Sequence, residues 1–136
     1  MPRYHIPANS NVMEIIRYAL YLMDIGCRQA DGIKGNATGE VCVIYDRRGM
    51  TMKNFDSRLF VTMKKLVDVV QIMYAERLGK IYILGANWFY FSLLKIISPM
   101  LSEKTKKKIV LIDSNEELLN YFKVGELEGE RLNGKV

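Results

Sequence analysis

The chain has 136 residues, of which 49% are hydrophobic and 26% are charged, and this composition is typical of one globular domain. Its 20 basic and 15 acidic residues give a net charge of +5, which fits an anionic membrane surface or a phosphate ligand as well as nucleic acid. The sequence has no apolar run near the roughly 20 residues that a bilayer span needs, and its N-terminus lacks the apolar core of a signal peptide. Cys27 and Cys42 have no metal-binding spacing and indicate reduced thiols, so we expect a soluble intracellular protein.

The first predicted elements are a short strand near residues 3–6 and a long amphipathic helix. Asn11 is placed to cap this helix, and Glu14 is placed to complete a capping box. The helix is predicted to end near Gln29. The glycine-rich stretch at 32–40 lacks the Gly-Lys-Ser/Thr signature of a phosphate-binding loop, so we interpret it as a connector.

Short apolar segments alternate with helical patterns through the rest of the chain. Strands are predicted at residues 41–45, 81–84 and 109–112. A long amphipathic helix is predicted between residues 57 and 75. Asp46 and Gly49 form a turn in which the carboxylate has a structural role and the glycine takes a positive φ. Strands that alternate with helices predict an α/β fold with a mostly parallel sheet and crossover helices.

Residues 88–101 form a segment that is apolar around nearly its whole circumference, with Ser92 and Lys95 as the clear polar interruptions. A helix of this kind is either buried or faces lipid or a partner. Pro99 is placed to kink or end it. Four lysines follow directly: Lys104, Lys106, Lys107 and Lys108. A basic cluster beside an apolar helix fits docking on anionic lipid, and it equally fits a solvated turn.

The last predicted helix begins at Ser114, which forms a capping-box pattern with Glu117, and it is expected to end at Tyr121 or Phe122. The polar tail at 125–136 is expected to be loosely ordered.

Three polar residues are predicted to meet at one edge of the sheet. Glu76 precedes the strand at 81–84, and Lys108 precedes the strand at 109–112. Because parallel strands enter a sheet from the same edge, these residues meet if the two strands are neighbours. Thr105 lies about one helical turn before Lys108. A carboxylate, a hydroxyl and an ammonium group together suit a polyol phosphate head group.

Four segments in this order resemble the CRAL-TRIO lipid-binding domain of the yeast-type phosphatidylinositol and phosphatidylcholine transfer proteins. They are VCVIYDRRGMTMKNFD, YAERLGKIYILGANWFY, LLKIISPMLSEKTKKKIVLID and SNEELLNYF, and the resemblance runs from about residue 11 to 122. It implies a minimal CRAL-TRIO-like fold with an apolar lipid cavity above the sheet, closed by a gate helix at 88–101. Residues 1–136 would then be a single lipid-binding domain without the family's N-terminal helical lobe, and a homodimer through the shortened N-terminal region is expected.

The resemblance also implies roles for individual residues. Head-group residues for phosphatidylinositol fall at Glu76, Thr105 and Lys108. The cavity is expected to be lined by Val41, Val43, Tyr45, Ile81, Ile83, Trp88, Phe91 and Leu94. Membrane contact is expected at Leu93, Ile97, Lys104, Lys106 and Lys107. Val41 and Val43 stand where family members that bind phosphatidylcholine have hydroxyl residues, which disfavours that lipid.

The predicted function is therefore non-enzymatic binding and transfer or presentation of a phospholipid, above all phosphatidylinositol, by a cytoplasmic protein peripheral to membranes. The phospholipid is cargo, and no cofactor, metal or nucleic acid is expected. The alternative is a protein-interaction module, for example for small GTPases, in which Tyr45, Tyr82 and Phe91 fill the cavity. Catalysis is disfavoured, because His5 is the only histidine and no nucleophile elbow or paired acid motif accompanies it.

Overall fold

The computed structural model of the chain describes residues 6–58, 69–74, 76–85 and 88–123. The described helices and strands are, in order, α1 (Val12–Gly32), β1 (Val41–Asp46), β2 (Leu78–Leu84), α2 (Trp88–Ile97), α3 (Glu103–Lys106), β3 (Ile109–Ile112) and α4 (Asn115–Leu118). Residues 57–58 and 69–73 are also helical, and the rest of the helix predicted between them lies outside the described residues. The alternation of strands and helices confirms the predicted α/β fold.

The described strands form one parallel sheet in the order β1-β2-β3. In its register Val43 lies opposite Ile81, and Ile81 lies opposite Ile109. The two strands expected to carry the head-group residues are therefore neighbours, as the sheet-edge argument requires. The strand predicted at 3–6 lies outside the described residues except for Ile6, which has an extended backbone.

One face of the sheet carries the core. Side chains alternate between the two faces of a strand, so Ile44, Tyr82, Leu84, Val110 and Ile112 share one face. They pack with Leu118 and Phe122, and the ring centroid of Tyr82 lies 4.8 Å from that of Phe122. Ile112 is fully buried. This packing seats α4 against the sheet and makes this face the dry side of the domain.

The opposite face of the sheet is more open. It carries Val43, Tyr45, Ile81, Ile83, Ile109 and Leu111. Ile83 is buried, but Tyr45 is 41% exposed and the other four are only half-buried. This apolar face is therefore only partly covered, and an uncovered apolar surface of this kind is suited to an apolar ligand.

Helix α1 begins as predicted and ends later. The Asn11 side chain accepts a hydrogen bond from the Met13 amide at 3.0 Å, which satisfies one of the unpaired amides of the first turn. The helix continues to Gly32, three residues beyond the predicted end at Gln29. Its last turns bury Cys27 and Ala30.

Two other predicted boundaries differ from the structure. Strand β2 begins at Leu78 instead of Ile81, because its backbone already pairs with Val41 there. Lys80 therefore lies within β2, on the sheet face that carries Tyr82. It does not lie at the amino edge of the sheet beside Glu76. Helix α4 ends at Leu118, and Tyr121 and Phe122 follow in a turn whose amides donate to the Leu118 carbonyl.

Helix α2 ends at Ile97, and Pro99 lies in the 3-10 turn Ser98–Met100 that follows, as the position of the proline indicated. Within the described residues, none of the helices is both long enough and apolar enough to cross a bilayer.

Candidate functional site

The amino edge of the sheet brings together the approaches to β2 and β3. The Ile81 amide donates to the Lys108 carbonyl at 2.8 Å, which places Lys108 beside the middle of β2. Glu76 lies two residues before the start of β2. Parallel pairing of the two strands thus places residues that are 32 positions apart in the sequence at one edge.

Glu76 pairs with a lysine that the sequence argument had assigned to membrane contact. Its Oε1 atom accepts a hydrogen bond from the Lys104 Nζ atom at 2.6 Å, and the Glu76 side chain is 83% exposed. This hydrogen bond and the charge of Lys104 lower the pKa of the Glu76 carboxyl, and the charge of Lys108 lowers it further. The carboxylate therefore stays ionised at neutral pH and stands within electrostatic reach of both ammonium groups.

Lys108 is half-buried, and its ammonium group donates to the Leu78 carbonyl. This carbonyl belongs to the first residue of β2, so the lysine spans the gap between the two strands at their start. An ammonium group held at a sheet edge in this way is a positioned point charge with further donors. Such a group suits contact with a phosphate.

Thr105 lies in a small hydrogen-bonded cluster with Ser102 and Gln71. The Ser102 Oγ atom caps α3 by accepting from the Thr105 amide at 3.1 Å, and the two hydroxyls are 2.8 Å apart. The Thr105 hydroxyl also donates to Gln71 Oε1 at 3.3 Å. The hydroxyl is thereby oriented within the turn that leads from α2 into β3.

Gln71 is a member of the site that the sequence argument missed. Its Oε1 atom also accepts from the Ser102 amide at 2.9 Å, and its Nε2 atom donates to the Met100 carbonyl at 3.5 Å. One side chain thus joins the end of the α2 segment to Thr105. A glutamine in an amphipathic helical pattern is usually a surface residue, so its type and spacing gave no signal of this role.

Arg77, the residue just before β2, contacts helix α1 and not the residues of the amino edge. Its guanidinium donates to the Cys27 carbonyl at 2.8 Å and to the Asp31 carboxylate at 2.6 Å. These hydrogen bonds, that of Asp31 first, raise the pKa of Arg77. Arg77 therefore joins the end of α1 to the sheet.

The predicted cavity residues have different surroundings. Val43, Tyr45, Ile81 and Ile83 lie on the open face of the sheet, whereas Val41 lies where the register of β1 shifts, beside Gly26 of α1. In α2, Leu94 is half-buried and Phe91 is 44% exposed. The side chain of Trp88 lies outside what the structure describes.

The residues predicted to contact membrane also differ. Ile97 is half-buried, whereas its neighbour Ile96 is 57% exposed and shares the outer side of α2 with Phe91 and Lys95. Lys107 is exposed, Lys104 binds Glu76, and Lys106 binds Glu103 at 2.6 Å. The side chain of Leu93 is outside the described part of the chain.

At the carboxyl edge of the sheet, Asp46 has the structural role that was predicted. Its carboxylate accepts from the Arg48 amide at 3.0 Å and from the Arg48 guanidinium at 2.9 and 2.7 Å. The guanidinium also donates to Asn115 of α4 at 2.7 Å. Gly49 has the expected positive φ of 77°. This network joins the end of β1 to the start of α4.

The fold and the site define a parallel-sheet α/β domain with a charged amino edge beside an apolar helix. The chain belongs to the CRAL/TRIO domain family, whose model matches residues 1–131.

Its relatives include the phosphatidylinositol transfer protein SFH5 of Vanderwaltozyma polyspora, which is 27% identical over 81% of this chain. The Sec14 cytosolic factor of Schizosaccharomyces pombe is also 27% identical, over 82% of the chain. The chain spans 37% and 39% of the lengths of these two proteins. The crystal structure of Sfh5 has the same fold, with a TM-score of 0.67 at 21% identity, and the match covers 82% of this chain and 38% of the other.

Proposed function

We propose that the protein binds a phospholipid, phosphatidylinositol above all, and transfers it between membranes or presents it, without catalysing a reaction. The observation that carries this proposal is the convergence of Glu76, Thr105 and Lys108 at the amino edge of the sheet, beside an apolar sheet face that is partly open. A relative, the SFH5 protein, is named a phosphatidylinositol transfer protein.

The polar groups at the amino edge match the parts of an inositol phosphate. Lys108 would exchange its bond to the Leu78 carbonyl for one to the phosphate, and such charge-assisted bonds are the strong ones. Glu76 would accept hydrogen bonds from inositol hydroxyls after Lys104 turns away from it. The Thr105 hydroxyl donates its one proton to Gln71, so its oxygen would accept a hydrogen bond from an inositol hydroxyl.

The open face of the sheet would hold the acyl chains. Each methylene that leaves water there gains about 0.8 kcal/mol, so a long chain is held mainly by apolar area. Of the three side chains that would fill the cavity in the interaction-module alternative, Tyr82 packs in the core on the other face, and Tyr45 and Phe91 are 41% and 44% exposed. The interaction-module alternative, which needs these side chains in the cavity, gains no support from the described residues.

Helix α2 would act as the gate and the membrane contact. Its exposed side carries Phe91, Lys95 and Ile96, a mixture of apolar and cationic groups suited to an anionic interface. The lysines of residues 104–107 follow next to it and add about 1 kcal/mol each near an anionic surface. Transient contact of this kind would make the protein peripheral to membranes on the cytoplasmic side. The phospholipid is then cargo, and dimer formation through the N-terminal region stays a prediction for sedimentation analysis.

The test is lipid transfer between vesicles of mixed phosphatidylinositol and phosphatidylcholine, with mass spectrometry of the lipid recovered on the protein. Replacing Lys108 with Met removes a charge-assisted contact, so phosphatidylinositol transfer should fall about tenfold or more. Glu76→Gln and Thr105→Val should lower the share of phosphatidylinositol in the recovered lipid.

Lys53→Met is the matched control, because Lys53 is exposed in the turn Met52–Asn54, away from the sheet edge, and its replacement makes the same change in net charge. Wild-type protein that returns from the vesicles without lipid would remove the proposed function. Equal phosphatidylinositol transfer by the Lys108→Met and Lys53→Met variants would remove the head-group role of Lys108.

A further inference from the structure

The carboxyl edge of the sheet holds a buried arginine that the proposed function does not use. Arg47 directly follows β1, and its amide extends the sheet by donating to the Leu84 carbonyl at 3.0 Å. The residue is only 6% exposed. It lies at the end of β2 opposite to Glu76 and Lys108, a separation of about 20 Å for a strand of this length.

The guanidinium of Arg47 is incompletely satisfied. Its Nε atom lies 3.4 Å from the sulfur of Met50, which is a weak acceptor, and its central carbon lies 4.2 Å from the ring centroid of Tyr90. Its Nη1 atom is buried and has no hydrogen-bond partner in the described part of the chain. Buried guanidinium groups normally have an anionic partner, because removing their charge from water is costly.

Three other arginines of this domain have the carboxylate partner that Arg47 lacks among the described residues. Arg48, Arg58 and Arg77 are each more exposed than Arg47, and each binds a carboxylate: those of Asp46, Asp56 and Asp31. Among the described residues, no ion pair includes Arg47. The most buried of these four arginines is thus the one for which the described residues supply no carboxylate.

Two tyrosine side chains lie near the Arg47 guanidinium. Tyr45 ends the open face of the sheet on β1, and Tyr90 comes from α2. Burial raises the pKa of Tyr45 and raises that of Tyr90 to about 12, and in both cases the charge of Arg47 opposes the rise. Both hydroxyls therefore keep their protons at neutral pH and add no negative charge near Arg47. A guanidinium without a carboxylate partner is complementary to an oxyanion.

We propose that Arg47, with Tyr45 and Tyr90, forms a second ligand site that binds the oxyanion of an amphipathic molecule whose apolar chain lies on the open sheet face. The shared chemistry is a carboxylate or phosphate on a long hydrocarbon chain, as in a free fatty acid or a lysophosphatidic acid. The site is at the carboxyl edge of a parallel sheet, where ligands of such sheets commonly bind. Val43 and Leu111, both half-buried on the open face, supply apolar surface for the chain.

The first test compares each acid with its neutral analogue on the wild-type protein, by equilibrium binding of labelled ligand at neutral pH. Oleate is compared with methyl oleate, and 1-oleoyl lysophosphatidic acid with 1-oleoylglycerol. A charge-assisted bond should make the preferred acid bind about 10- to 100-fold more tightly than its neutral analogue. A preference in the first pair identifies a carboxylate, and one in the second pair identifies a phosphate. Equal binding of both acids and their neutral analogues would overturn the proposal, and this comparison needs no variant.

The second test assigns the preference to Arg47. Arg47→Met should abolish the preference for the acid while the neutral analogue binds as before, and Arg47→Lys should retain part of it. Arg17→Met on the exposed side of α1 makes the same change in net charge and should leave the preference intact. If the acid binds Arg47→Met as tightly as wild type, the site is not at Arg47. The inference does not rest on phosphatidylinositol binding, because the transfer assay with Lys108→Met and the acid-binding assay with Arg47→Met probe opposite ends of β2.

Discussion

Glu76 and Lys104 form an ion pair with an oxygen–nitrogen distance of 2.6 Å at the amino edge of the sheet, although 28 residues separate them in the sequence. The pair joins the approach to β2 with helix α3. The pKa of the Glu76 carboxyl therefore reports on the contacts that Glu76 makes at this edge.

The first prediction concerns the pKa of the Glu76 carboxyl. Lys104 is the main cause of its lowering and Lys108 a smaller one, so Lys104→Met should move the pKa up toward the ordinary value of 4.5, and Lys108→Met should move it by less. Because the pKa is lowered in the folded protein, the ion pair is present above the ordinary value and is lost as the pH falls through the lowered one. Carboxyl chemical shifts followed by NMR between pH 2 and pH 7 measure all three proteins. A larger change in Lys108→Met than in Lys104→Met would contradict the geometry.

The second prediction concerns Gln71 as the residue that orients Thr105. Gln71→Ala removes the acceptor of the Ser102 amide and of the Thr105 hydroxyl, and the free energy of unfolding should fall by about 1–2 kcal/mol. Urea denaturation followed by circular dichroism measures the loss. Gln29→Ala is the control, because Gln29 is an exposed glutamine of α1, and its effect should stay within about 0.5 kcal/mol. Equal effects of the two variants would show that the Gln71 hydrogen bonds contribute nothing.

The third prediction concerns the packed face of the sheet. Ile112 is fully buried between Leu84 and α4, so Ile112→Ala should lower the free energy of unfolding by about 2–5 kcal/mol, and Ile112→Val by about 0.5–1.5 kcal/mol. Ile72 is 83% exposed, and Ile72→Ala should change the stability by no more than about 0.5 kcal/mol. Thermal and urea unfolding of the three variants give the comparison. An Ile72→Ala loss as large as that of Ile112→Val would place the core elsewhere.

The fourth prediction concerns the glycine that follows β2. Gly85 has a φ of 70°, and a Cβ atom there would lie 2.9 Å from Arg48 Cγ and 3.2 Å from the Arg48 backbone. Gly85→Ala should therefore lower the free energy of unfolding by more than the about 1–2 kcal/mol that a left-handed conformation costs an alanine.

The same substitution at Gly32 should have the opposite sign. At the end of α1 a Cβ atom meets nothing within 4 Å, and alanine is the better helix former by roughly 0.5–1 kcal/mol. Urea denaturation of both variants measures the difference, and a destabilised Gly32→Ala beside an unchanged Gly85→Ala would contradict these backbone conformations.

Local patterns in the sequence predicted the element types, because β-branched runs, capping residues and helical spacing act within a few positions of one another. The caps at Asn11 and Ser114 and the positive φ of Gly49 belong to this group. The start of β2 at Leu78 was missed since it depends on pairing with Val41, which lies 37 residues earlier, and Gly79 and Lys80 looked like a turn when considered without that partner.

The candidate site was predictable only in outline. The parallel order of strands brought Glu76 and Lys108 to one edge, as expected. Which atoms bind each other depends on side-chain reach, so the sequence could not indicate that Glu76 would bind Lys104, nor that Gln71 would hold Thr105. Arg47 was not predicted as a site residue because an arginine after a strand usually lies in a solvated turn, and its contact with the Tyr90 ring joins residues 43 positions apart.

The Lys108 ammonium group already donates to the Leu78 carbonyl, so an anion at the amino edge competes with a backbone acceptor. An anion that binds Lys108 must displace the Leu78 carbonyl, which is part of the backbone and cannot diffuse away. Chloride offers a single atom as acceptor and gains little from the exchange, whereas a phosphate with several acceptor oxygens gains more. Under the proposed function, this competition would favour the phosphate of a phospholipid over small ions at the amino edge.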